Sequence, residues 1–160
     1  MQNEQHPMPM KNNAYRNFAA MLTVSFIIMY GVMFLNVDDT SHIYLSNTRA
    51  YMALLMVAPM ALLKLAFMKH MYRNAKKNTA IVIGSIAVMV LAFTALRTQA
   101  FISDVQYMKA MIPHHSSAIM TSSNANIKDP EVKKLSEQII KSQEEEIAQM
   151  KQMLNRIENQ

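Results

Sequence analysis

Residues 79–96 read TAIVIGSIAVMVLAFTAL and are closed by Arg97. The segment is apolar throughout and long enough to cross a bilayer, for which about 20 residues suffice as helix. It is preceded by Lys69-His70-Met71-Tyr72-Arg73-Asn74-Ala75-Lys76-Lys77, the most basic loop in the chain. Such a loop marks the cytoplasmic side, so this span runs outward and the chain that follows it lies outside.

Working back toward the amino terminus, Ala50 to about Met68 forms a second apolar block. Pro59 sits near its middle and Lys64 toward its end. Both are compatible with spanning, because neighbouring groups satisfy the carbonyl that proline frees and lysine snorkels to the interface. Val37 to Arg49 reads as a short polar connection carrying Asp38, Asp39 and His42. The first block runs from Phe18 to about Asn36. Asn36-Val37-Asp38 lacks a small-x-small cleavage pattern, which predicts an uncleaved anchor. Lys11 and Arg16 keep the polar amino terminus inside, in agreement with three spans. His6-Pro7-Met8-Pro9-Met10 reads as a loose tail that also offers metal donors.

The 160 residues are 51% hydrophobic and 17% charged, and the apolar content is concentrated before residue 97. This predicts a membrane part and a soluble part. Residues 1–102 carry nine Lys or Arg against three acids, and residues 103–160 carry seven against eight. The net charge of +5 therefore resides at membrane flanks. With no basic stripe and no interleaved aromatics, nucleic acid is not an expected partner. The absence of cysteine excludes disulfides, thiolate metal sites, iron–sulfur clusters and cysteine nucleophiles.

Past Arg97, two amphipathic helices are expected. The first covers roughly Ser103 to Asn124, with Val105, Met108, Ile112, His115, Ile119 and Ser122 on one stripe and Pro113 expected to kink it or restart it. Asp129-Pro130-Glu131 opens the second as cap, first helical residue and first-turn acid. That helix runs to about Ile157, with Val132, Leu135, Ile139, Ile147, Met150, Leu154 and Ile157 as its stripe. The expected fold is all-α: three transmembrane helices followed by a soluble helical hairpin, half of a four-helix bundle. The parts are a polar cytoplasmic tail (1–17), a three-helix membrane domain (18–97) and an outward-facing hairpin (98–160). Since so small a core is seldom sufficient alone, a homo-oligomer through the hairpin is expected.

The chemistry concentrates at Met111-Ile112-Pro113-His114-His115, with Met108 one turn earlier. Met111 lies three residues before His114 and four before His115, so its sulfur can share a face with either ring. Adjacent helical residues diverge by about 100°, so only one imidazole fits the core face and the other lies at its edge. Gln143, Glu146, Met150 and Met153 on or beside the facing stripe can complete a site, whereas Met120 lies on the opposite side. Thioether with imidazole suits Cu(I) or Ag(I) better than zinc or iron. A di-iron centre is excluded, because the first helix has no glutamate and hence no Glu-x-x-His pair. Ser116-Ser117 lacks a nucleophile-elbow context and Glu144-Glu145-Glu146 reads as a solvated face, so no enzyme and no organic cofactor are expected. The competing reading is a structural or partner-binding hairpin whose histidines pin the bundle. A third is copper transport along methionine ladders, Met29 with Met33 in span one and Met52, Met56 and Met60 in span two. Methionine as adaptable packing between membrane helices accounts for the same ladders.

The run Tyr107-Met108-Lys109-Ala110-Met111-Ile112-Pro113-His114-His115-Ser116-Ser117-Ala118-Ile119, then Asp129-Pro130, then Gln143-x-x-Glu146-Ile147-x-x-Met150, resembles the bacterial "domain of unknown function 305" family over roughly residues 100–155. The membrane part, with Met-Tyr near residue 30 and Ala58-Pro59-Met60, is similar to members in which this domain follows several spans. The resemblance implies a ferritin-like helical-bundle fold and, for some relatives, periplasmic copper or silver binding linked to metal tolerance. By position it points to His114, His115, Met111, Gln143, Glu146 and Met150. Where many relatives carry Ser-Glu-Arg after the histidine helix, this chain has Ser122-Ser123-Asn124. The expected function is a membrane-anchored periplasmic protein of the inner membrane that buffers or hands over Cu(I).

Overall fold

The computed structural model describes residues 13–159. Five α-helices make up the chain, with no strand among the described residues: α1 (Asn13–Val32), α2 (Asn47–Phe67), α3 (Ala75–Thr98), α4 (Asp104–Asn124) and α5 (Pro130–Glu158). The first three are long and apolar enough to cross a membrane. The all-α expectation holds. Helix starts move outward from the apolar blocks, because polar first turns also propagate helix, whereas α1 ends at Val32, short of the expected Asn36. Thus α1 begins at Asn13, inside the stretch expected to be tail, and Lys76 and Lys77 belong to the first turns of α3. The His6–Met10 segment lies outside the described residues.

Capping side chains fix most of the helix starts. Ser46, Asn74, Ser103 and Asp129 each accept a backbone N–H of the first turn, and Asp129 accepts two, from Glu131 and Val132. Helix α2 is central in the membrane part: it packs along both α1 and α3, which meet each other through side chains near Tyr15 and Asn78. Its buried positions, Ala53, Val57, Ala58, Ala61 and Leu65, are mostly small, which lets neighbouring backbones approach. At one end Tyr15, Phe18 and Tyr72 stack in tilted and edge-on pairs 5.3–5.4 Å apart. There the Tyr15 hydroxyl donates to Asn78 Oδ1 (2.8 Å) and accepts the Asn74 backbone N–H (3.1 Å). That cluster ties α1 to the α2–α3 corner.

At the other end the chain turns from α3 into α4 within a few residues. Gln99 and Phe101 both adopt the left-handed region, with φ of 53° and 57°. A bulky residue such as phenylalanine rarely does so, and Phe101 is 88% exposed. The corner is braced by α2, since the Tyr51 hydroxyl donates to the Ala100 carbonyl (2.8 Å) and the Asn47 amide to the Phe101 carbonyl (3.1 Å).

Helices α4 and α5 form an antiparallel hairpin, in which Ser136 near the start of α5 donates to the Ser122 carbonyl while Lys109 pairs with Glu158 at the far end. Met108, Ile112, Ile119, Ile147 and Leu154 form its buried core, with Val105, Ile140, Met150 and Ile157 packed against them. Pro113 neither breaks nor restarts α4, which runs through it as one helix. Proline deprives the Lys109 carbonyl of its usual partner, but Pro113 is buried and holds its place by packing. Val132 and Leu135, expected in the apolar stripe, are 50% and 55% exposed, because the first turns of α5 extend beyond the packed core.

The connection between α1 and α2 is more than the simple link its polarity suggests. It forms a 3-10 turn at Thr40–His42 that docks on α4. Fully buried Ser116 accepts the Asp38 backbone N–H (2.8 Å) and lies 2.9 Å from His42 Nδ1. Asn36 donates to Ser117 Oγ (2.6 Å), the Asn47 N–H donates to Gln106 (2.9 Å), and Lys151 of α5 donates to Ser41 (3.0 Å). Membrane part and hairpin are thus fastened together by polar contacts at one place.

Candidate metal centre

Residues expected at the site divide by the face of the hairpin they occupy. Met108 is 5% exposed in the apolar core, and Met150 packs against that core. Both sulfurs therefore sit among aliphatic side chains. Their helical spacing follows the core stripe, which is why sequence alone does not separate a thioether ligand from a packing methionine.

His115 faces α5. Its Nδ1 lies 3.0 Å from Glu146 Oε2, and Ser142 donates to the other carboxylate oxygen, Oε1, at 3.0 Å. Gln143, partly buried, stands one turn before Glu146 on the same helix. Although close, Nδ1 is out of line for a hydrogen bond and is a buried nitrogen without a hydrogen-bond partner among the described residues. Burial pushes the ring below the ordinary histidine range, with His114 adding to the effect and Glu146 opposing it. A neutral imidazole with an unengaged nitrogen has the donor character that a metal ion takes up.

His114 points elsewhere. The two rings lie 6.0 Å apart at 68°, and His114 is exposed. With Met111 it lines a cavity of about 750 Å³ between α4, the end of α1 and the start of α2. Met33 and Met52, outermost members of the two methionine ladders, line the same cavity, as do Thr48 and Arg49. The roughly 100° between successive helical residues, visible in the sequence, is what sends the two histidines to different faces.

The donors therefore form two partial sets, His115 with Glu146 and Gln143, and His114 with Met111. Among the described residues no three His, Asp or Glu side chains gather closely enough to hold a metal ion. The unengaged His115 nitrogen beside a carboxylate fits one edge of a metal site, with further donors to come from thioethers. Sequence reasoning missed Ser116 and His42, whose pairing spans 74 residues, and it missed the cavity that joins Met33 and Met52 to Met111. Only the polarity of Asp38, Asp39 and His42 hinted that the connection does more than link two spans.

An all-helical chain with three helices apolar enough to cross a membrane, followed by this hairpin, matches one family. The chain belongs to the family described as "Domain of unknown function (DUF305)", which it matches over residues 60–156. The match begins within α2 and ends in the last turn of α5, so it takes in part of the three apolar helices and nearly all of the hairpin. The chain is 38% identical over 138 residues to Uncharacterized protein L153 of Acanthamoeba polyphaga mimivirus, an alignment covering 84% of this chain and 89% of the relative. No solved structure matches.

Proposed function

We propose that this protein is a membrane-anchored metal-binding protein that buffers or hands over a soft monovalent ion, Cu(I) or Ag(I), on the outer face of its membrane. The observation that carries the reading is His115 Nδ1, buried, unengaged and 3.0 Å from Glu146. Glu146 beside that nitrogen supplies a carboxylate oxygen as a second donor to an ion bound there. Met111 and His114 on the adjacent face supply the softer donors, and Gln143 flanks the carboxylate. Orientation follows the basic α2–α3 loop, which places the hairpin outside, in the periplasm of a bacterium. Homo-oligomerisation through α5 belongs to the same proposal and is supported by the exposed Val132 and Leu135.

The full chain in detergent, titrated with Cu(I) and Ag(I) against a competing chelator, tests this directly. His114→Ala with His115→Ala lowers affinity at least tenfold if the imidazoles are ligands. Unchanged affinity rejects the proposal and leaves the second reading, in which the Ser142–Glu146–His115 chain pins α4 to α5 without metal. Transport along the methionine ladders finds less support. Met52 and Met56 are 44% and 38% exposed on the surface of the three-helix unit, so within one copy they do not line a closed path.

A further inference from the structure

The cavity that His114 and Met111 line on its α4 side carries a fixed cation on its α2 side. Arg49 lines it there, and among the described residues no carboxylate does. Arg49 is partly buried, with its guanidinium 4.3 Å from the centre of the Phe34 ring and one N–H given to the Met33 carbonyl at the end of α1. Among the described residues it has no acidic partner within salt-bridge distance, and that carbonyl is its only hydrogen-bond acceptor. A guanidinium has five N–H donors, so most remain unused. Thr48 lines the same cavity, although its hydroxyl lies beneath the surface. A partly buried cation with most of its donors unused is costly unless an anion meets it.

Position narrows the anion. The cavity opens where α1 ends and α2 begins, at the level where apolar spans give way to polar chain. Val32, Leu35 and Met52 on its rim are 52%, 80% and 44% exposed. One wall therefore suits hydrocarbon and the other suits phosphate, the pattern of an amphiphile. The volume, about 750 Å³, is within the range of roughly 300–1,000 Å³ that holds a small organic group. We propose that this cavity binds the phosphate headgroup of an anionic membrane phospholipid, with Arg49 as counterion and the acyl chain lying along Leu35 and Met52. The inference depends on α1 to α3 spanning a bilayer and is independent of metal binding by His115.

Native mass spectrometry of the full chain in neutral detergent, incubated with phosphatidylglycerol or phosphatidylcholine at matched concentration, reads the lipid retained per chain. The expected result is one phosphatidylglycerol per chain held in preference to phosphatidylcholine. Arg49→Gln lowers retention about tenfold, as for loss of a charge-assisted pair, while Arg73→Gln in the α2–α3 corner leaves it unchanged. Because Arg49→Gln also removes the bond to Met33, a second variant decides if the first misfolds. Ala110→Phe fills the cavity with Arg49 in place and must abolish retention with the far-UV circular dichroism of wild type. Equal retention of both lipids, full retention by Ala110→Phe, or displacement of the lipid by millimolar inorganic phosphate each overturns the proposal, the last by showing a site for free anions.

Discussion

Ser116 Oγ in the middle of α4 lies 2.9 Å from His42 Nδ1 in the connection between α1 and α2, a contact between residues 74 apart in the chain. Ser116 is fully buried and its oxygen already accepts the Asp38 N–H, so its own proton needs an acceptor. His42 Nδ1 is the acceptor within reach, which assigns the ring proton to Nε2. That hydroxyl joins the α1–α2 connection to the hairpin alongside the contacts of Asn36, Asn47 and Lys151.

Ser116→Ala leaves the Asp38 N–H and His42 Nδ1 without partners. A loss of about 1–3 kcal/mol is expected, the cost of stranding buried polar groups. Thermal unfolding of the full chain in detergent measures it. His42→Ala combined with Ser116→Ala has to cost less than the sum of the two single changes, because both remove one contact.

Acid should loosen the same attachment. Burial and nearby Lys151 push His42 below its ordinary value of 6.5, with Asp39 and Asp38 opposing. Between that lowered value and about 6.5 the detached ring binds more protons than the docked one, so docking is complete above about 6.5 and weakens as pH falls below it. A protonated ring also presents N–H to the Ser116 hydroxyl, whose proton must then turn into apolar surroundings. The protection of residues 36–46 from hydrogen exchange, taken relative to the intrinsic rate at each pH, should fall on acidification in wild type and much less in His42→Gln. Since His115 is depressed in the same direction, an equal fall in both proteins would assign the effect to the hairpin instead.

Glu146→Gln and Met108→Leu separate metal chemistry from packing. The first removes the carboxylate charge beside His115 and should weaken Cu(I) binding about tenfold in chelator competition. The second replaces a core thioether with an isosteric hydrocarbon. It should leave Cu(I) affinity unchanged and cost less than about 1.5 kcal/mol of stability.

Ile112 is fully buried in the hairpin core. Ile112→Ala should destabilise the hairpin by about 2–5 kcal/mol. Chemical denaturation followed by helical circular dichroism checks this, with Val132→Ala, at a position 50% exposed, as the near-neutral comparison.

Much of the architecture was legible in local chemistry. The uncharged run before Arg97, the basic corner before it, and the capping residues Ser103 and Asp129 each act within a few residues of themselves. Their consequences survive into the fold almost unchanged. Pro113 did not restart the helix, and its burial comes from tertiary packing, which no local rule contains. The divergence of His114 from His115 followed from helical geometry, but what each ring meets did not. Glu146 lies 31 positions from His115, and the cavity wall beside His114 comes from two membrane helices. Likewise, nothing near Asp38 or His42 announced a buried serine far along the chain.

The abrupt corner at Gln99–Phe101 leaves the hairpin without a tether. A domain on a flexible leash searches a volume around its anchor, whereas this one is mounted at a fixed height. On the proposed function, an ion it receives or surrenders is exchanged with a partner that reaches the bilayer surface, and lengthening this corner should alter the frequency of such encounters before it alters any affinity.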